Sequence, residues 1–204
     1  VLKDGVPKQT FTAKVRPGDI KYVDLDKNGF IDTYDQMAIG GTENPEIVYG
    51  FGVNLRWKEL DFGAMFQGIG RTWRILSSNI MPASNKGSMY NIFDNYQDRW
   101  TVDNQSQDVF YPRADYGPNA NNSQKSTWWL RNMSFLRLKN LELGYSCPKK
   151  WLQGFVISNA RVFVRGTNLL TFSKFNLWDP ELATGDGAKY PAMKSVSVGF
   201  DITF

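Results

Sequence analysis

The end of the chain sorts its residues by parity. Val196, Val198, Phe200, Ile202 and Phe204 fall on one side; Ser195, Ser197, Gly199, Asp201 and Thr203 fall on the other. A helix would scatter such residues around its axis, whereas a strand sorts them. The pattern therefore predicts a strand over 195–204. Tyr49, Phe51, Val53, Leu55 and Trp57, alternating with Gly50, Gly52, Asn54 and Arg56, predict a second strand. Leu60, Phe62, Ala64 and Phe66, alternating with Asp61, Gly63, Met65 and Gln67, predict a third. Only Lys58 and Glu59 separate these two, the spacing of a tight hairpin. Further strands are expected over Phe135–Tyr145 and Ala160–Asn168. Leu136 and Leu138 are followed by Leu141, Leu143 and Tyr145, so the phase slips near Lys139-Asn140, which suggests a β-bulge. Arg161-Val162-Phe163-Val164-Arg165 is less cleanly sorted.

Period-two ribbons fit two architectures. In a soluble sandwich one face meets a second sheet and the other meets water. In an outer-membrane barrel one face meets lipid and the other a wet lumen. Alternation alone favours the sandwich, because soluble sheets are commoner. Loop lengths move the balance. With the C-terminus set inside, the long connections 68–134 and 169–194 fall outside, while 58–59 and 146–159 fall inside. Short inner turns and long outer loops are the asymmetry of outer-membrane barrels. Tyr49 and Trp57 bracket their strand as girdle residues would. A bacterial barrel needs at least about eight strands, so the rest of the wall would come from other residues.

Composition narrows the chemistry. Aromatics make up 15% of the 204 residues and Gly numbers 18, which suits an all-β protein better than a helical bundle. The absence of His removes any Ser-His-Asp or Cys-His pair within the chain, and the single Cys147 removes an internal disulfide. Cys147 itself, ahead of Pro148, is expected to be an inert strand-end residue. A formal charge of +4 without a Lys/Arg run makes only a weak nucleic-acid footprint, and no nucleic-acid partner is expected. No apolar run is long enough for a transmembrane helix, which says nothing of a barrel. Val1 is not a start methionine, so the chain reads as a processed product or a fragment.

The sharpest local motif runs from Asp24 to Asp35. Side-chain oxygens recur at Asp24, Asp26, Asn28, Asp32 and Asp35, Phe30 would offer its carbonyl, and Gly29 would make the sharp turn. This is the spacing of a twelve-residue calcium loop, with Asp where a bidentate Glu usually closes it. Hard Ca²⁺ takes about six to eight oxygens, and alternate residues of a tight loop can point inward together. Carboxylates packed this closely repel one another without a cation. The shorter closing Asp leaves room for Mg²⁺ or a weaker Ca²⁺ site. Ile31 would pin the loop to neighbouring structure, as a structural staple rather than a sensor.

Several stretches then carry a family resemblance. They are Pro17-Gly18-Asp19-Ile20-Lys21-Tyr22-Val23-Asp24 with Ile39-Gly40, the hairpin from Pro45 to Gly68, and Ser134-Phe135-Leu136-Arg137-Leu138-Lys139-Asn140-Leu141 with Leu143-Gly144-Tyr145 and Pro148. Arg161-Val162-Phe163-Val164 with Gly166-Thr167-Asn168-Leu169-Leu170-Thr171-Phe172, then Asp179-Pro180-Glu181, Tyr190-Pro191 and Thr203-Phe204, complete the series. In these the chain resembles the C-terminal barrel region of the SusC/RagA family of TonB-dependent outer-membrane transporters. Residues 69–127 match least, as variable outer loops would.

The resemblance implies antiparallel strands of a barrel of about 22 strands with a plug in its lumen. It implies an extracellular loop with the calcium-type motif over 17–40, and barrel strands and loops over 48–204. It also implies a SusD-like surface lipoprotein, energy from the TonB complex through a missing N-terminal part, and uptake of glycans or oligopeptides rather than catalysis. Loops would be extracellular and the C-terminus periplasmic. Phe204 resembles the terminal residue read by the barrel-assembly machinery.

Other features weigh less. Trp73, Tyr90, Trp100, Tyr111, Tyr116, Trp128 and Trp129 fall in the long outer segment or at its end. Aromatic faces stack on sugars, but packing within the loops, or contact with a capping partner, is the expected role. Asp94, Asp98 and Asp103 could suggest a hydrolytic pair, yet nothing in the sequence fixes their separation. Gly166-Thr167-Asn168 and Gly185-Asp186-Gly187 read as turn chemistry. The competing architecture is a soluble, calcium-stabilised β-sandwich binding carbohydrate on an aromatic face. It requires a second sheet over the apolar stripes of 49–57 and 195–204.

Overall fold

The computed structural model describes residues 5–12, 14–77, 80, 93–115, 117 and 119–204. Nine strands follow in chain order among them: β1 (Lys8–Gln9), β2 (Phe30–Ile31), β3 (Ile47–Trp57), β4 (Leu60–Gly70), β5 (Trp73–Ile75), β6 (Leu130–Asn132), β7 (Phe135–Ser146), β8 (Asn159–Ser173) and β9 (Ser195–Thr203). The one short α-helix among the described residues, α1 (Lys149–Leu152), lies in the connection from β7 to β8. The chain divides into two units, one of 1–40 with 75–130 and one of 41–74 with 131–204.

The second unit is built on a five-stranded sheet in the order β3-β4-β7-β8-β9, with every neighbouring pair antiparallel. Trp57 pairs with Leu60, so the β3–β4 turn is the expected two-residue hairpin, with Lys58 at φ 54. The phase slip near Lys139 is a bulge. Asn140 pairs with Met65 and Leu138 with Phe66, and the register with β8 shifts at the same place. There Thr167 faces Asn140 and Leu170 faces Leu138, while Asn168 takes φ 52. Gly166-Thr167-Asn168 is therefore not a turn. It lies inside β8, which continues to Ser173 instead of ending at Asn168.

With the bulge in place the register sorts both faces. One carries Phe51, Val53 and Leu55 of β3, Phe62 and Phe66 of β4, Leu138, Leu141 and Leu143 of β7, Val162, Val164 and Leu170 of β8, and Val196, Val198 and Phe200 of β9. The other carries Asn54, Arg56, Asp61, Glu142, Arg161, Arg165 and Asp201. Burial runs against what a soluble sheet requires. Phe51, Leu55, Leu143, Leu170, Val198 and Phe200 are 52–74% exposed. The only other sheets among the described residues are two-stranded. A sandwich would hide these side chains beneath a second layer; a membrane wall leaves them bare. Within the face, Phe51 stacks on Phe66 at 5.1 Å between centroids.

The first unit is held by aromatic and amide packing. Phe110, Tyr111 and Trp129 cluster with centroids 4.6–6.4 Å apart, and Trp129 and Tyr111 are almost completely buried. Burial pushes the Tyr111 phenol up to about 12. The Asp19 carboxylate is fully buried. It accepts from Arg113 at 2.8 Å, from Asn122 Nδ2 at 2.9 Å and from the Arg16 backbone N–H at 2.8 Å. Asn122 Oδ1 accepts from the Ile20 N–H, and Asn121 donates to the Ile20 carbonyl. Gly18, at φ 88, lies against the Trp100 ring, where a Cβ would overlap the indole. The segment from Pro17 to Tyr22 is thus bound to residues more than 90 positions away.

Candidate functional site

The acidic loop hangs from β2. Ile31 is buried, and β2 pairs in parallel with β1: Lys8 N–H donates to the Gly29 carbonyl at 3.0 Å and Thr10 N–H to the Ile31 carbonyl at 3.1 Å. This is the pinning expected of Ile31. Gly29 takes φ 87 and Lys27 φ 61, so the turn uses left-handed backbone at two positions.

Carboxylate oxygens of Asp24, Asp26 and Asp35 lie within 4.8 Å of one another. Backbone N–H groups hold them in place. Asp24 accepts from Gly29 at 2.8 Å, Asp26 from Asn28 at 3.0 Å, and Asp35 from Leu25 at 2.7 Å and Asp32 at 2.8 Å. Those bonds to Asp35, from Asp32 first and then Leu25, hold its carboxyl below the usual 3.8. Asn28 sits beside the group, donating Nδ2 to Asp26 at 3.0 Å, while its Oδ1 accepts from Phe30 N–H at 2.8 Å. Asp32 is turned to the Tyr34 N–H at 2.7 Å and is not one of the converging acids. Of the expected donors the fold therefore gathers Asp24, Asp26 and Asp35, keeps Asn28 adjacent, and directs Asp32 elsewhere.

The polar face of the sheet carries a connected ion-pair array that the strand pattern did not reveal. Arg161 bonds Asp61 and lies 2.6 Å from Glu142 and 3.2 Å from Asp201. Glu142 also lies 2.6 Å from Arg165. Phe163, between the two arginines on the same strand, has its ring about 5 Å from both guanidinium carbons and lies over Gly199, where a Cβ would collide with it. A second cluster lies toward the other end of β7. Arg137, only 2% exposed, bonds Asp179 and lies 2.7 Å from Glu181, whose carboxylate also takes Lys139 at 2.6 Å. Asp179-Pro180-Glu181 thereby fastens the β8–β9 connection to the strand at its bulge. The signal for this was present as alternating basic residues at Arg137 and Lys139, but their partners are about 40 positions away.

The remaining candidates resolve into packing. Trp100 covers Gly18, Trp128 donates Nε1 to the Phe110 carbonyl at 3.1 Å, and Trp129 donates Nε1 to the Asn122 carbonyl at 2.9 Å. Trp73 lies over Gly41. Tyr90 and Tyr116 lie outside the described residues. Asp98 accepts from the Phe110 N–H at 3.1 Å, and Asp94 opens a 3-10 turn. Cys147 is a free thiol whose N–H bonds the Ala160 carbonyl.

No family model matches the chain. The chain is 32% identical over 92% of its length to TonB-dependent receptor P26 of Formosa agariphila, of which it covers 20%. It is 24% identical over 98% of its length to TonB-dependent receptor SusC of Bacteroides thetaiotaomicron, covering 19%. Among solved structures, the RagAB peptide transporter aligns with a TM-score of 0.69 and 34% identity, over 85% of this chain and 19% of that one. RagAB in its closed-closed state gives a TM-score of 0.69 at 32% identity, over 89% of this chain. The chain thus spans about a fifth of the length of the curated relatives it matches.

Proposed function

This chain belongs to the SusC/RagA family of TonB-dependent receptors, and from that premise we propose that it forms part of the barrel wall of an outer-membrane nutrient importer. Its apolar face meets lipid, its charged face lines the lumen around a plug, and its long loops are extracellular with the C-terminus periplasmic. A SusD-like lipoprotein shares the binding cavity, the TonB complex drives uptake, and the cargo is a glycan or oligopeptide. The observation that carries this reading is the bare apolar face backed by the Asp61–Arg161–Glu142–Arg165 array. A sheet with one face for hydrocarbon and one for water is what a wide, plugged barrel requires.

The experiment is purification of the full-length receptor from detergent-extracted outer membranes, followed by intact mass spectrometry. A complex of barrel and lipoprotein is expected. Recovery of the polypeptide as a stable soluble monomer would refute the reading.

We also propose that Asp24, Asp26 and Asp35, with Asn28 adjacent, hold a structural Ca²⁺. The group fits such an ion: its donors are hard oxygens already converged, and a divalent cation would offset their mutual repulsion. The carbonyl of Phe30 and a reoriented Asp32 would complete the oxygen set. Calorimetric titration of chelator-treated receptor should give binding heat that Asp24→Asn with Asp26→Asn abolishes. The pH dependence has a definite sign. Asp35 is held below 3.8, so its contribution to loop order is complete above that value and disappears as pH falls through the lower one. Binding heat that is absent at millimolar calcium and neutral pH would remove the site.

A further inference from the structure

The connection from β7 to β8 is short, firmly tied and conspicuously apolar. Ser146 N–H donates to the Glu59 carbonyl, Cys147 N–H to the Ala160 carbonyl and Ser158 N–H to the Thr203 carbonyl, each at 2.8 Å. The segment is thus bonded to β8 and β9 through its two end residues, next to Ser146, the last residue of β7, which meets the β3–β4 turn. Its own turns close through Trp151 N–H to Pro148 and Phe155 N–H to Leu152. Despite this anchoring, Trp151, Phe155 and Val156 are 66–85% exposed. At the same end of the sheet Trp57 is 69% and Phe204 80% exposed. Segments 58–59 and 147–158 carry Lys58, Lys149 and Lys150 against the single acid Glu59. The Lys58 ammonium stands 5.1 Å from the Trp57 ring centroid.

Large side chains held bare on an ordered turn need an apolar neighbour. Two observations identify it. The connection lies at the end of the sheet where Trp57, Leu60, Tyr145 and Ile202 bring the apolar face to its edge. It also mixes indole and phenyl rings with lysines, the chemistry of a membrane–water boundary, where rings enter the headgroup layer and ammonium groups meet phosphate. We propose that residues 147–158, with Trp57, Lys58 and Phe204, form a foot that seats on the phospholipid headgroups of the periplasmic leaflet. The inference rests on the barrel reading and its inward-facing short turns. It adds a lipid contact made by a connection, outside the strands themselves.

The test places nitroxide labels at Trp151→Cys and Phe155→Cys, in a full-length receptor carrying Cys147→Ser and no other cysteine. The receptor is set in nanodiscs of phosphatidylethanolamine with phosphatidylglycerol. Labels at Phe200→Cys and Asp186→Cys serve as lipid and water references, and heat-modifiable gel mobility confirms that each variant is folded. The oxygen-to-nickel-chelate accessibility ratio at 151 and 155 should exceed that at 186 several-fold and approach that at 200. Lys149→Glu with Lys150→Glu should lower the ratio in anionic discs only. A ratio equal to that at 186 overturns the inference, as do labels shielded from both reagents, which would mark a protein neighbour. An unchanged ratio in the double Glu variant overturns the role given to the lysines. If the label at 200 also reads as water, the barrel reading falls with the foot; if only 151 and 155 do, the barrel stands without it.

Discussion

Val53→Arg lowers the unfolding free energy of the full-length receptor by about 2–4 kcal/mol, the cost of a cation on the lipid face near the bilayer midplane. The neighbouring Asn54→Arg changes it by no more than about 0.5 kcal/mol. Val53 lies midway between Tyr49 and Trp57 and pairs with Ala64, so an arginine there has a long way to reach either boundary. Asn54 pairs with Gly63 on the face that already holds Arg56 and Asp61. Equilibrium urea titration in lipid vesicles measures both variants. The two residues are adjacent on one strand, at nearly the same depth and on opposite faces, so equal losses would sink the assignment of that side to hydrocarbon.

The second large effect is at Arg137. Its guanidinium is 2% exposed and is held by Asp179 and Glu181, with the Phe135 ring 5.4 Å away. Arg137→Met strands two carboxylates against a single remaining cation, Lys139, and should cost about 3–5 kcal/mol, as removing one partner of a buried pair does. Proteolysis should then open within 174–194, the segment that Asp179 and Glu181 hold down. Adding Asp179→Asn and Glu181→Gln should recover much of the loss, because stranded charge rather than missing attraction dominates the penalty. If the triple variant is no better than the single one, the cluster is stabilised by attraction and the argument from desolvation is wrong.

The strands were legible because lipid and lumen impose opposite tastes on alternate residues, and Val196 to Phe204 displays both in full. The slip at Lys139-Asn140 gave away the bulge for the same reason: apolar residues resume on the correct face one position late. The far half of β8 was not legible. Leu170 and Phe172 keep the parity of Val162 and Val164, but Asn168 and Leu169 put a polar and an apolar residue on the wrong parity between them, and Gly-Thr-Asn imitates a turn. The acidic loop was readable as a ligand pattern because its donors are close in sequence. Which of them converge was not, since a lone N–H at Tyr34 diverts Asp32. The Asp19 network and the Arg137 cluster join residues roughly 40 to 100 positions apart, and local pattern carries no information at that range.

The Arg137 clasp has a bearing on how the ribbon reaches its final alignment. A strand displaced by one residue turns every side chain to the opposite face. For β7 that error would drive Arg137 into the hydrocarbon and pull Leu136 or Leu138 inward, where Asp179 and Glu181 would find no counter-ion. The β8–β9 connection can settle only over a correctly aligned strand, so the register of β7 and the docking of 174–194 stand or fall together.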